Sequence, residues 1–277
     1  MEAKEEKMKR IRVEKYQGCG NDFLLVLYHK GIDYSLLAKR LCSRRKGIGA
    51  DGLICVKKKP LEMMIFNQDG SKAPMCGNGI RCFSLYAYNH RYVNKKSFEV
   101  LTSIGPYSVT ITSFSPISIL VNMGKASFDR KLIKVDKDIN LMGYKLLIDG
   151  KEYTLYTLFI GTIHTVVFVE NPIEAYESSI GEKICNHPFF KEKTNVNFVK
   201  VIDKNNIIVR TFERGVGRTL SCGSGCCASF IVAHKEGYVE DEGYAHGEED
   251  KLKISIKDDV FLSGPAYKVF STYIEER

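Results

Sequence analysis

One unit occurs twice in this chain. The first copy runs from Phe66 through a polar loop to Cys76-Gly77-Asn78-Gly79, and the second from Phe212 to Cys222-Gly223-Ser224-Gly225, 146 residues further on. Overlaid, the copies match at Phe66/Phe212, Cys76/Cys222, Gly77/Gly223 and Gly79/Gly225. Each follows an apolar run suited to a strand, Met63 to Phe66 or Ile207 to Phe212. Each precedes apolar residues at helical spacing: Ile80, Phe83, Leu85 and Tyr86, or Ala228, Phe230, Ile231 and Ala233. A repeated strand–loop–helix unit implies two halves related by an approximate two-fold, with one thiol from each available to a shared cleft.

A thiol at a helix start lies beside unpaired backbone N–H groups and the positive end of the helix dipole. That environment is expected to hold its pKa below the ordinary value of about 8.5. The flanking glycines allow close backbone approach to a bound carboxylate. Two thiols on opposite sides of one carbon can carry out 1,1-proton transfer: a thiolate takes the proton from one face, a thiol returns one to the other, and the centre inverts. Rival readings apply to the same residues. A lone cysteine is more often a small buried hydrophobe, and Cys76, Cys82, Cys222, Cys226 and Cys227 could gather around zinc. Zinc ligands usually come as Cys-x2-4-Cys pairs, which only Cys222 and Cys226 satisfy. Packing alone does not require one cysteine and two glycines in both copies.

At 277 residues and 44% hydrophobic, the chain can bury one large core or two medium ones. Nine cysteines, odd in number and without a framework spacing, fit a reducing, cytoplasmic setting. The longest apolar run, Leu155 to Val169, is broken by Gly161 and His164, so no membrane span is expected. Residues 1–10 mix acids and bases without an apolar core, unlike a signal or transit peptide, and are expected to form a frayed or partly ordered extension. The net charge of +8 is dispersed, its tightest cluster being Lys57-Lys58-Lys59, and no basic stripe interleaved with aromatics points to nucleic acid.

Specific motifs run nearly end to end: Gly18-Cys-Gly-Asn21-Asp-Phe23, Gly49-Ala-Asp-Gly52, Phe66-Asn67-x-Asp-Gly-Ser71 and Cys76-Gly-Asn-Gly-Ile-Arg-Cys82. They continue through Asn122-Met-Gly124, His164, Thr194-Asn195-Val-Asn-Phe198, Glu213-Arg-Gly-Val-Gly217 and Cys222-Gly-Ser-Gly225. On these residues the chain resembles the diaminopimelate epimerases, a family of two-cysteine enzymes that work without pyridoxal phosphate. The resemblance implies an α+β fold of two pseudo-symmetric domains, each a curved mixed or antiparallel sheet wrapped around a central helix, with the active site in the cleft between them. The expected division is 1–121 for the domain carrying Cys76 and 122–265 for the one carrying Cys222. The C-terminal strand, 266–277, is expected to return to the first. Residue patterning alone supports the strand–helix order and the duplication.

By resemblance, Cys76 and Cys222 are the acid–base pair, and His164 and Glu213 help set their protonation. Glu213 also meets the substrate amine. Arg214 has the fork geometry for a carboxylate. Asn21, Asn67 and Asn195, which as bare residues read as turn formers, are implied to bind the distal end of the substrate. Backbone N–H groups of Gly77, Asn78, Gly223 and Ser224 would grip the reacting carboxylate.

No lysine stands in a motif that would hold pyridoxal phosphate, and neither cofactor nor metal is expected. The implied reaction interconverts L,L- and meso-diaminopimelate for lysine and peptidoglycan synthesis. The small amino-acid substrate is the expected partner, with homodimer formation left open and no nucleic acid or membrane. Three positions depart from the family pattern: Thr162 where Asn is usual, Arg218 where Glu is common, and Cys226 in place of Ala. The first loses an amide and admits a broader amino-acid racemase, active for example on glutamate. A zinc- or redox-responsive binding protein using the cysteine clusters is the remaining alternative.

Overall fold

The computed structural model describes residues 10–135, 140–248 and 250–275. The N-terminal extension read from the sequence therefore lies outside the described residues, apart from Arg10. The first half contains β1 (Arg10–Gly18), β2 (Asn21–Leu27), α1 (Tyr34–Cys42), β3 (Gly52–Lys58), β4 (Leu61–Asn67), β5 (Lys72–Ala73), α2 (Gly77–Asn89), β6 (Ser97–Thr102), β7 (Gly105–Phe114) and β8 (Ile117–Asn122). After α3 (Arg130–Ile133) come β9 (Met142–Ile148), β10 (Lys151–Ile160), β11 (Thr162–Phe168), α4 (Pro172–Glu177), α5 (Ile180–Cys185), β12 (Asn195–Asp203), β13 (Asn206–Glu213) and β14 (Gly217–Thr219). The chain continues through α6 (Gly223–Lys235), β15 (Glu242–His246), β16 (Lys251–Ile256), β17 (Val260–Gly264) and β18 (Tyr267–Glu275).

Strand pairing repeats the duplication seen in the sequence. β2 and β3 run parallel, as do β11 and β12. β3 then pairs antiparallel with β4, and β12 with β13. β4 meets β6 in parallel, as β13 meets β15. The halves join where β8 pairs antiparallel with β17. β18 pairs antiparallel with β1, the place that β9 takes beside β10 in the other half. The fold is thus a two-domain α+β arrangement with a mixed sheet in each half.

α2 and α6 occupy the middle of the halves. From Gly223 to Ala233, α6 is buried at every residue except Ser224, because its sequence is apolar or small on all sides. α2 contributes Ile80, Cys82, Phe83, Leu85 and Tyr86 to the same continuous core. The shorter helices cover the outer sheet faces: α1 packs on Leu24, Val26, Leu53 and Cys55, while α5 places Ile184 and Cys185 against Val196 and Phe198. Asp33 caps the start of α1, its carboxylate accepting from Leu36 N.

Glu14, fully buried on β1, fastens β18 and the end of α2 to this framework. Its carboxylate lies 2.6 Å from Arg12, 3.0 Å from Lys268 and 3.0 Å from His90 Nε2. Burial by itself would raise this carboxyl's pKa, but the hydrogen bonds from Lys268 and His90 outweigh it and hold the value below the usual glutamate range. Glu14→Gln is expected to cost about 1–2 kcal/mol at neutral pH, less than a wholly buried pair because Arg12 and Lys268 are partly exposed. Since the native carboxyl binds its proton less readily than the unfolded one, its contribution is complete above the unfolded pKa. It is lost as the pH falls through the native pKa. Urea melts of both proteins should therefore differ at pH about 7 and converge in acid; an equal gap at both ends would show that charge is not what holds Glu14.

Candidate active site

A cavity of about 730 Å³ opens where the N-termini of α2 and α6 meet. Of the residues singled out from the sequence, Asn21, Asn67, Cys76, Gly77, Asn78, Asn195, Glu213, Arg214, Cys222, Gly223 and Ser224 all line it. His164 does not.

The helices begin at Gly77 and Gly223, ahead of the apolar spacing that opens at Ile80 and Ala228, so that each cysteine is itself the N-cap in extended conformation. Cys76 Sγ accepts from Gly79 N at 3.4 Å. Cys222 makes no such cap bond and lies 3.6 Å from Ser224 Oγ instead. The two helix starts almost touch: a Cβ added at Gly77 would stand 3.5 Å from Gly223 Cα and 3.1 Å from Leu262 Cδ2. Only glycine at both places lets two positive helix ends converge on one space.

Convergence does not produce the lowered thiol pKa expected from the sequence. Burial pushes Cys76 up to about 11, more than the Gly79 N–H pulls it down, and the Glu213 carboxylate adds to the rise. Cys222 is raised further, by burial first and Glu213 second. Desolvation of the thiolate outweighs the helix ends, Cys222 being buried and Cys76 half-buried, and the Glu213 carboxyl acts on both in the same direction. Glu213 is raised as well by its burial, although Thr219 Oγ1 donates to its Oε1 at 2.7 Å. Both cysteine shifts favour the thiol over the thiolate.

His164 is wholly enclosed on β11. Its Nδ1 lies 3.3 Å from Asn197 Nδ2, and among the described residues Nε2 meets no hydrogen-bond partner. Burial, with Arg214 nearby, depresses its pKa to about 3, so the ring is neutral. It is buried behind the cavity wall and does not face the cavity.

At the other end of the cavity, Arg214 donates to Glu192 O at 2.7 Å and to Thr162 Oγ1 at 3.3 Å. The threonine that replaces the usual asparagine thus still makes a polar contact with the carboxylate-binding candidate. Both amide atoms of Asn195 are taken: Nδ2 donates to Ile163 O at 2.9 Å, and Oδ1 accepts from Arg214 N at 2.9 Å. Asn67 donates to Ser71 Oγ at 2.9 Å. Arg218 reaches away to Glu177 O and Ser178 O, so this departure ties the loop before Cys222 to α4.

Sequence reading overlooked Asp51 and Arg44. Asp51 Oδ2 accepts from Asn21 Nδ2 at 2.7 Å, and Arg44 joins Asp51 to Asp22 at 2.7 and 2.9 Å. That network turns Asn21 Oδ1 toward Cys76 Sγ, 3.6 Å away. The motif Gly49-Ala-Asp-Gly52 was the available signal, an acid set between turn-forming glycines. The cysteines do not form a zinc-like cluster: among the described residues, no three His, Cys, Asp or Glu side chains converge as metal ligands would.

Fold and site together define a class of duplicated two-domain enzymes with facing helix N-termini across a cleft. The fold matches that of a phenazine biosynthesis protein of the PhzF family from Bacillus anthracis (TM-score 0.69, 15% identity, 96% of this chain and 99% of that one). It also matches a probable proline racemase from Agrobacterium radiobacter K84 (TM-score 0.72, 12% identity, 95% of this chain and 92% of that one). Within that class, the chain belongs to the diaminopimelate epimerase family and is an isomerase. The family model described as diaminopimelate epimerase matches residues 13–129 and 156–269. The chain is 40% identical to the diaminopimelate epimerase of Caldanaerobacter subterraneus subsp. tengcongensis over 273 residues, covering 96% of this chain and all of that one. It is 39% identical to that of Alkaliphilus metalliredigens over 270 residues, 92% of this chain and 94% of the relative.

Proposed function

We propose that the chain interconverts L,L- and meso-diaminopimelate by two-thiol proton transfer in this cavity, as a step toward lysine. The observation that carries the reading is the delivery of two N-cap cysteines, one from each duplicated half, to one cavity. The reacting carboxylate lies on the N–H groups of Gly77, Asn78, Gly223 and Ser224, where the helix ends stabilise the charge that develops as the α-proton leaves. The α-ammonium sits by Glu213. Its positive charge offsets the carboxylate and the desolvation that keep the thiols protonated, so substrate binding itself favours release of a proton from one thiol. That thiolate removes the α-proton while the other thiol protonates the opposite face. Arg214, held by Thr162 and Asn195, takes the distal carboxylate; Asn67 and Asn21 also bind the substrate, Asn21 from its place beside Cys76. Neutral His164 acts from behind the wall rather than on the substrate. Domain limits of 1–121 and 122–265, with 266–277 assigned to the first half, belong to the same reading, supported by the pairing of β18 with β1.

The reaction is assigned to the cytoplasm, with the small amino acid as partner. Among the described residues, no helix is long and apolar enough to cross a membrane. A coupled assay with purified chain, offering L,L-diaminopimelate and L-glutamate separately, tests the specificity. Turnover of diaminopimelate should exceed that of glutamate by at least about 100-fold, because a shorter acid leaves Arg214 and its neighbours with unpaired polar groups. Comparable rates would instead establish a broad racemase.

A further inference from the structure

Arg81 is fully buried on α2, one turn behind Cys76, and does not line the cavity. Its guanidinium makes four hydrogen bonds among the described residues, all to uncharged acceptors. Nε donates to Pro265 O at 3.0 Å and Nη1 to Gly77 O at 3.0 Å; Nη2 donates to Asn78 Oδ1 at 2.9 Å and meets Cys19 Sγ at 3.4 Å. No carboxylate among the described residues pairs with it. Space for it is cut by two glycines: a Cβ on Gly18 or on Gly264 would stand 3.2 Å from the guanidinium nitrogens. A buried cation is costly unless an anion or good hydrogen bonds compensate it.

Two consequences follow from this placement. Because Asn78 Oδ1 is turned to Arg81, its Nδ2 faces Ser221 O at 3.0 Å and Asn21 Oδ1 at 3.4 Å. Ser221 directly precedes Cys222, so a single amide spans from the first half to the second half's thiol. The bond to Pro265 O also grips the segment through which the chain passes from β17 to β18. The second consequence is electrostatic: a positive charge without a fixed counter-ion stands behind the helix that Cys76 caps.

We propose that Arg81 is a positioning residue of this site, locking Asn78 across the two halves and acting as the standing counter-ion for the Cys76 thiolate. The proposal rests on the reading of Cys76 as an acid–base thiol. Burial is the largest influence on Cys76, Cys19, Cys82, Cys226 and Cys227 and raises the pKa of all five; Arg81 acts against it on each, and on Cys76 as a smaller influence than the Gly79 N–H. Also opposing Arg81 are Glu213, which faces both Cys76 and Cys222, and Asp250, which acts on Cys19. Arg81 lies on the helix that Cys76 caps, whereas Cys222 caps α6, so the charge acts more on Cys76 than on Cys222.

Alkylation by iodoacetamide, followed peptide by peptide over pH, reads this without any substrate. It thus tests Arg81 even if the purified chain proves inactive on diaminopimelate. Arg81→Gln removes the charge, and Arg81→Lys keeps it while losing the fork. At fixed mildly alkaline pH, Arg81→Gln should slow Cys76 alkylation about tenfold, the effect of moving a thiol's titration by one pH unit. Cys222 should change less, and Arg81→Lys should alkylate Cys76 at close to the wild-type rate while turnover falls through the displaced Asn78. Folded variants that both alkylate Cys76 like wild type, or that slow it equally, overturn the proposal. Should Arg81→Gln not fold, Arg81→Lys decides alone, again by alkylation: Cys76 reacting at close to the wild-type rate supports the proposal, and a slowing of about tenfold, with the charge kept, overturns it.

Discussion

Alanine at Cys76 or at Cys222 is expected to lower epimerisation by at least about 10³-fold, the contribution of a positioned acid or base. The two variants should lose about the same amount, and the double variant little more, because inversion needs both groups at once and their effects are not additive. The half that remains is still informative. A single thiolate can remove an α-proton and return one to the same face, which exchanges hydrogen without inverting the centre. In deuterium oxide each variant should therefore label only one of the two stereoisomers at the reacting carbon, and the two variants opposite ones. Near-wild-type turnover in either single variant would sink the two-thiol mechanism. Cys42, buried at the C-terminal end of α1 in the outer core, is the control: Cys42→Ala should lose some stability and keep its turnover.

Duplication was the legible part of the fold, because each half repeats a strand, a glycine-flanked cysteine and an apolar helix at matching positions. The pairing pattern follows from it, down to the parallel contacts β2–β3 and β11–β12. β5 and β14 left no trace in the sequence, being two and three residues long with no room for a period. β15, Glu242–His246, was hidden by its polar composition, and α4 by its length of six residues. In the site, residue identities were legible and their protonation was not. Helix ends and glycines are local features, whereas the desolvation that raises both thiols comes from segments far apart in sequence. The same holds for Asn195: its position was readable, but its commitment to Ile163 O and Arg214 N depends on the alignment of β11, β12 and the end of β13.

Air-oxidised protein is expected to be inactive and to recover fully with dithiothreitol, through a disulfide between Cys76 and Cys222. The two sulfurs must reach opposite faces of one carbon, and the glycines that follow the cysteines are already in near contact. Without substrate between them, little stands in the way of the short Cα–Cα separation that a disulfide needs. The bond would consume both reacting groups and block the carboxylate position in one event, so activity should fall in proportion to the linked fraction. Because burial holds both thiols above their ordinary pKa, oxidation should be slow at neutral pH and quicken as the solution is made alkaline, following the thiolate population. Bound diaminopimelate should protect by separating the sulfurs. Peptide mapping of the oxidised protein should recover Cys76 joined to Cys222. A map in which Cys76 joins Cys82, or Cys222 joins Cys226, with the cross-link between the halves missing, would show that the thiols do not face each other.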